Sequence, residues 1–381
     1  MKINIGLVFG GCSVEHEISV ISALQAYHNY HGERYELIPI YLSKNKEFYY
    51  GKDLVDVKNY TNLPKLLKKC SQIQFKKKNN KTFIQAGFKK VEIDAVWLVT
   101  HGNNCEDGTL YNYFNMLNIV CLGLDSFQGS ISQDKSICKQ LMQANKIKQT
   151  KFFWVHTLQY NQNSDDVINQ ANKIGYPLIV KPAKLGSSVG IQICYNDANL
   201  IDAIEEAFIY DTKVLVEEFI ENAREFNISL LGDIEEYRVS AIEEVTKNSF
   251  LSYDDKYNSH SKCKGMAGLN RIVPANIDVK LGQNIIQTAK KVASILDIAL
   301  CVRLDFLYDT EKKVLYFNEI NNIPGSLAFY LWEKVDLSFN ALIESILDIG
   351  IKNEYMKAHL TLSYHANIFN TAEIEKISIC K

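Results

Sequence analysis

Apolar, strand-like runs alternate with helix-like ones from the first residues of this chain: INIGLVFGG, a helical pattern from about Val14 to Tyr30, ELIPIYL, and DAVWLVT ending at His101. That alternation is the signature of an open parallel sheet with crossover helices. Ligands of such sheets bind beyond the carboxyl ends of the strands. Those ends carry Gly10, Gly11, Cys12, Ser13 and Glu15 after the first strand, and His101, Gly102, Glu106, Asp107 and Gly108 after the last. A double glycine here hints at a dinucleotide fingerprint, but GxGxxG is incomplete, and a carboxylate at a strand end suits an ammonium-bearing substrate better. His16, beside Glu15, is expected to be a local structural partner.

The pattern changes after about residue 125 and again near residue 218, so we expect three domains, 1–125, 126–218 and 219–381. The first two read as α/β, with helices near Asp134–Asn145 and Asp165–Ile174. The last reads as α+β, mostly strand with a long helix near Val279–Leu296. Residues 64–91 are lysine-rich and are expected to form a surface hairpin or excursion. With 42 basic and 44 acidic residues the formal charge is −2, so no bulk field favours nucleic acid or an anionic membrane. Nine cysteines without a CxxC pair argue against a disulfide framework or zinc site and for a reducing compartment. MKINIGLVFGG is too short an apolar run for a signal peptide, and no run of 18 apolar residues follows, so a cytoplasmic protein is expected.

The segment with the most chemistry is IALCVRLDFLYDTEKKVLYFNEINNIPGS. Two alternating apolar runs flank the polar DTEKK, which predicts an antiparallel hairpin with its loop near Lys312. That register places Asp305 opposite Glu319 and Arg303 opposite Asn321, all four on one face. Opposed carboxylates repel unless a cation lies between them. Two carboxylates and an amide oxygen are hard ligands of the kind magnesium accepts beside nucleotide phosphates. Pro324 and Gly325 then break the strand, and Ser326 is expected to cap a helix through LAFYLWEK.

Two further segments point to a nucleotide. In Lys181–Gly190, KPAKLGSSVG, small residues let the backbone approach a phosphate, Ser187 and Ser188 add hydroxyls, and Lys181 supplies a point charge. The segment is not a Walker loop, since GxxxxGK[ST] is absent. In VLVEEFIENAREF, Glu217 and Glu225 bracket an apolar edge, Phe219 and Ile220, suited to an adenine ring.

In order, GGCSVEHEIS, HGNNCEDGT, DKSICK, KPAKLGSSVG, SYDDKY, RLDF and NEINNIPGS resemble the motifs of the D-alanine:D-alanine ligases of the ATP-grasp superfamily. The stretch NEINNIPGSLAFYLWE looks most like the subgroup with D-alanine:D-serine ligases and their clostridial relatives. The resemblance implies a three-domain ATP-grasp fold, ATP and two magnesium (or manganese) ions, small D-amino acids as partners, and a homodimer. It implies that Glu15 binds the first ammonium with His101 nearby, and that Lys135 and Lys181 meet ATP phosphates. Glu217 and Glu225 would hold adenine and ribose, and Asp305, Glu319 and Asn321 would ligate the metals. Arg303 and the Gly325 amide would stabilise an oxyanion. Ser187, with Tyr257 of SYDDKY, would close and order the site, and Lys256 would bind substrate. Ser326 and Tyr330 would face the second substrate.

Some positions depart from the family pattern. Cys105 stands for the second glycine of HGxxGEDG, Tyr111-Asn112 for Gln-Gly, Gln133 for the methionine of MDK, and Tyr330 for the serine that usually meets the second carboxylate. The acceptor therefore stays open between D-alanine, D-serine and D-lactate. A silent nucleotide-binding paralogue is the reading from another class.

Overall fold

The computed structural model describes residues 2–79, 81–246 and 270–364. Its first sheet grows from the strand Ile3–Gly10, which pairs in parallel with Tyr35–Leu42 on one side and with Ala95–Leu98 on the other. Cys121–Leu122 extends it in parallel. The opposite edge differs from the expected all-parallel sheet, because Phe48–Tyr50 and Ser71–Gln72 add antiparallel strands. Phe48–Tyr50 is reached from Tyr35–Leu42 by a short turn, which only antiparallel pairing permits, whereas Ser71–Gln72 returns to it through the helical segment between Lys52 and Leu67. Residues 74–93 form a separate antiparallel sheet of three strands, polar outside and anchored through buried Ile84 and Ile93, so the excursion is real but larger than one hairpin.

The helix His16–Asn29 covers one face of the first sheet, and so does the last helix, Phe339–Ala358. Ile5, Leu7 and Phe9 pack with Val20, Leu24, Leu342, Ile346 and Leu347 in one core, so residues from both ends of the described chain hold the same sheet. A central antiparallel sheet follows, ordered Phe152–His156, Lys213–Glu218, Leu178–Pro182, Gln192–Cys194. Helices Ser164–Ile174 and Asp197–Ala207 cover it.

The third sheet places Arg224–Asp233 against Leu300–Asp309, which pairs with Val314–Asn321. Val302, Leu304 and Phe306 face the helix Val279–Ile295 through Ile285, Ala289 and Val292. By the two-residue period of a strand, Arg303 and Asp305 point to the other side. The register at Arg303↔Asn321 and Asp305↔Glu319 is as expected, but it shifts between Asp305 and Phe306, so that Phe306 meets Phe317. Asn318 is therefore the extra residue of a bulge. The bulge changes parity: Leu315 and Phe317 enter the core, yet Glu319 and Asn321 lie on the polar face with Asp305. An unbulged strand would have put either Phe317 or Glu319 on the wrong side.

Candidate active site

Because the first strand and Ala95–Leu98 are neighbours running the same way, their carboxyl-end loops meet. Gly10 and Gly11 turn away at φ 96° and 104°; a side chain on Gly10 would strike the Leu42 carbonyl at 2.2 Å, so the turn requires glycine. Ser13 Oγ donates to the His101 carbonyl (2.6 Å) and accepts from the Glu15 amide (3.2 Å). His16 is structural as expected: Nδ1 lies 2.6 Å from the Gly11 carbonyl and Nε2 lies 3.0 Å from the Tyr41 hydroxyl.

Glu15 is clasped from a second direction. Ser187 Oγ donates to its Oε1, and Gly186 packs so close that a Cβ there would lie 2.7 Å from Oε2. Ser187 makes this contact from left-handed backbone, φ 56°, which continues at Ser188 with φ 60°. Glu106, which sequence reasoning left without a role, completes the corner. It accepts from the amides of Gly102 (2.7 Å) and Ile323 (3.1 Å), tying the His101 loop to the end of the hairpin. Burial and the neighbouring Glu15 carboxylate push the Glu106 carboxyl up to about 8, against the two amides and Lys135. Two crowded carboxylates of this kind are relieved by an ammonium group. His101 is buried and pushed down to about 4 by that burial, so its ring is neutral near pH 7. The Pro324 backbone acts against that shift, which places the ring beside the PGS turn.

On the hairpin, Arg303 donates Nε to Asp305 Oδ1 (2.7 Å) and Nη2 to Oδ2 (2.8 Å), a fork on the carboxylate. Asn321 donates to the same Oδ2 at 3.0 Å. Burial pushes the Asp305 carboxyl up to about 6, against the pull of Arg303, and Glu319 and Glu225 push it further the same way. Glu319 lies 3.6 Å from Lys135 Nζ, which also donates to the Leu185 carbonyl (2.8 Å). Among the described residues no three His, Cys, Asp or Glu side chains gather as a metal cluster. The donor set here is two carboxylates and an amide, hard oxygens that fit magnesium, and an Asp305 carboxyl pushed up by burial and by the Glu319 charge is what a cation relieves.

Lys181 donates to Asn318 Oδ1 (3.4 Å), the bulge residue, and lies 3.1 Å from Glu217 Oε1. Glu217 sits deeper than the rim position its sequence suggested: it is 2% exposed, 2.9 Å from Lys139 Nζ, and accepts from Thr150 Oγ1 at 2.8 Å. Burial would push its carboxyl up, but Lys139 and Lys181 hold it down at about 2. Glu225 is near enough to act on both Lys181 and Asp305. Phe219 and Ile220 follow the strand that carries Glu217, both half-buried. Lys139 was missed in the sequence, though it stands one helical turn from Lys135 on Lys135–Ala144.

The PGS turn departs from expectation. Ser326 caps no long helix: Ser326, Leu327 and Ala328 all take left-handed backbone (φ 54°, 53° and 51°) before a single turn, Phe329–Trp332. The Ser326 amide instead donates to Ser22 Oγ at 2.8 Å on the first helix, and Leu327 is buried, so tertiary contacts override local preference. Gly325 opens this turn. Tyr330 donates to Glu243 Oε2 (2.6 Å) beneath Arg271, whose guanidinium lies 5.0 Å from the ring and 3.1 Å from Glu243 Oε1. Lys256 and Tyr257 lie outside the described residues.

The sequence matches the D-ala D-ala ligase N-terminus over residues 4–124 and the D-ala D-ala ligase C-terminus over residues 141–348. A D-alanine–D-alanine ligase of Thermosipho melanesiensis is 38% identical over 369 residues, 96% of this chain and 98% of that protein. D-alanine–D-alanine ligase B of Clostridium tetani is 33% identical over 361 residues, 93% of this chain and 95% of that one. The VanG D-Ala:D-Ser ligase from Enterococcus faecalis superimposes with a TM-score of 0.77 at 26% identity, over 92% of this chain and 100% of that structure. A D-alanine-D-alanine ligase from Coxiella burnetii, 20% identical over 94% and 96%, shares the fold with a TM-score of 0.78. With both halves matched and relatives aligned almost end to end, the chain belongs to the D-alanine–D-alanine ligase family and is an ATP-dependent ligase.

Proposed function

We propose that the protein joins two D-alanines while splitting ATP to ADP and phosphate, giving D-alanyl-D-alanine for peptidoglycan precursors. The observation that carries this is the meeting of a carboxylate corner, Glu15 with Glu106, and a cationic one, Lys135, Lys181 and Arg303, around the Asp305–Glu319 pair. The first corner takes an amino acid by its ammonium, and the second takes phosphates.

In this reading Glu15 binds the first ammonium, with neutral His101 beside the carboxylate. Glu217, Phe219, Ile220 and Glu225 receive adenine and ribose, while Lys135, Lys181, Ser187 and Ser188 receive the phosphates. Asp305, Glu319 and Asn321 would hold two magnesium or manganese ions, which neutralise the transferring phosphoryl group. The first carboxylate attacks the γ-phosphorus and ADP leaves, yielding D-alanyl phosphate, which survives only where water is excluded. The Ser187–Glu15 bond closes one side of that space, Tyr257 is assigned to closing and ordering the site, and Lys256 to binding substrate. The second amine attacks the acyl carbonyl, Arg303 and the Gly325 amide offset the charge on oxygen, and phosphate departs as the amide forms. Ser326 and Tyr330 are placed at the acceptor. A cytoplasmic homodimer completes the reading, on the family resemblance alone. Phosphate and dipeptide appearing only when ATP, magnesium and D-alanine are all present would support it; no D-amino-acid-dependent ADP would sink it.

An ammonium prefers the Glu15–Glu106 corner fully ionised. The KM for the first D-alanine is therefore expected to fall as pH rises from about 6 to 8, while Glu106 loses its proton. Glu106→Gln should flatten that dependence; a wild-type KM constant across this range would contradict it.

A second acceptor has one observation in its favour: the Tyr330 phenol is spent on Glu243, so it does not stand in simply for a serine hydroxyl. Tyr330→Ser, which frees that buried carboxylate and opens volume, is expected to change the D-alanine to D-serine product ratio by about fivefold or more in a competition assay. An unchanged ratio would show that Tyr330 does not shape the acceptor pocket.

A further inference from the structure

We propose that Lys139 is a positioning residue of the nucleotide site: it holds Glu217 so that Lys181 can pass from Glu217 to the phosphates of ATP. This rests on the reading of Lys181 as a phosphate ligand.

Lys181 is poised between two uses. Its ammonium lies 3.1 Å from Glu217 Oε1 and 3.4 Å from Asn318 Oδ1, in a setting 7% exposed. Turning to a phosphate weakens the contact with Glu217, and a buried carboxylate stripped of its counter-ion pulls the lysine back. Lys139 removes that conflict. It is 1% exposed, and its ammonium lies 2.9 Å from the other oxygen, Oε2, and 5.7 Å from the centre of the Phe152 ring. Phe152 is the cross-strand partner of Glu217, so ring, lysine and carboxylate are fixed by one pair of strands. The only ion pair of the Lys139 ammonium among the described residues is with Glu217. Thr150 donates to the same Oε2, so two groups hold one oxygen while Lys181 shares the other. Such a carboxylate keeps a partner throughout the cycle.

Lys139→Met keeps the stem and removes the charge. The KM for ATP is expected to rise on the order of tenfold, with kcat at saturating ATP within about threefold and the KM for D-alanine unchanged. Lys139→Arg should restore most of the affinity. In a Glu217→Gln background, where no carboxylate competes for Lys181, the same Lys139→Met change should move the KM for ATP by less than about twofold, a cycle that a packing role alone would not produce. ADP binding by calorimetry gives the same comparison without turnover, and the neutral Met–Gln pair keeps the test open if Lys139→Met alone folds poorly. An active wild type with an unchanged KM in Lys139→Met, or equal effects in both backgrounds, would overturn this inference alone. A wild type that makes no ADP with D-alanine would instead overturn the functional reading beneath it.

Discussion

Glu319→Gln is expected to lower kcat by roughly 10²- to 10³-fold while leaving the melting temperature within a degree or two, because in the proposed reaction it removes one ligand charge where phosphoryl charge develops. Glu319 is the cleaner of the two hairpin carboxylates to remove. It lies 3.6 Å from Lys135, a long ion pair, and its side chain is 30% exposed. Asp305→Asn should lose at least as much activity, but it also strips the Arg303 fork. Breaking a buried pair costs about 3–5 kcal/mol, so a fall of several degrees in Tm should accompany it. Steady-state kinetics at saturating magnesium, with thermal melts of both variants, check this. Less than tenfold loss in Glu319→Gln would remove the hairpin from the phosphoryl-transfer site.

Arg303→Lys is expected to slow dipeptide formation by about 10²-fold, since a lysine keeps the charge but cannot keep the fork that aims it. The informative quantity is ADP released per dipeptide made. If Arg303 acts on the tetrahedral intermediate, the acyl phosphate forms and is lost to water, so the ratio rises above one. A ratio that stays at one, with both products slowed together, would place Arg303 before the acyl phosphate instead.

Much of the site is readable in the order of residues because it obeys short-range periodicity. The alternation of VRLDF and YFNEIN is enough to bring Asp305 and Glu319 face to face and Arg303 opposite Asn321. What escapes is the bulge at Asn318. It is written in the mismatch between Phe317 and Ile320, both core, and Glu319 and Asn321, both polar: a parity break that a strict two-residue pattern cannot contain. The left-handed run at Ser326 is invisible locally, because nothing in GSLA favours it; Ser22 and a buried Leu327, more than 300 residues of chain apart in their contacts, impose it. Glu106 and Lys139 are missed for a related reason. Each is an ordinary charged residue in a loop or on a helix until a distant segment supplies its partner: Ile323, just past a strand, in one case, and Glu217, on a strand, in the other.

In the proposed reaction a D-alanine carboxylate attacks ATP at the γ-phosphorus, and a second amine takes the resulting acyl phosphate. Incubating the protein with ATP, magnesium and D-alanine labelled with ¹⁸O in its carboxylate tests it directly, by mass analysis of the phosphate released. The account predicts one labelled oxygen in phosphate for each dipeptide made, together with one ADP. Dipeptide accompanied by unlabelled phosphate, or by AMP and pyrophosphate, would contradict it.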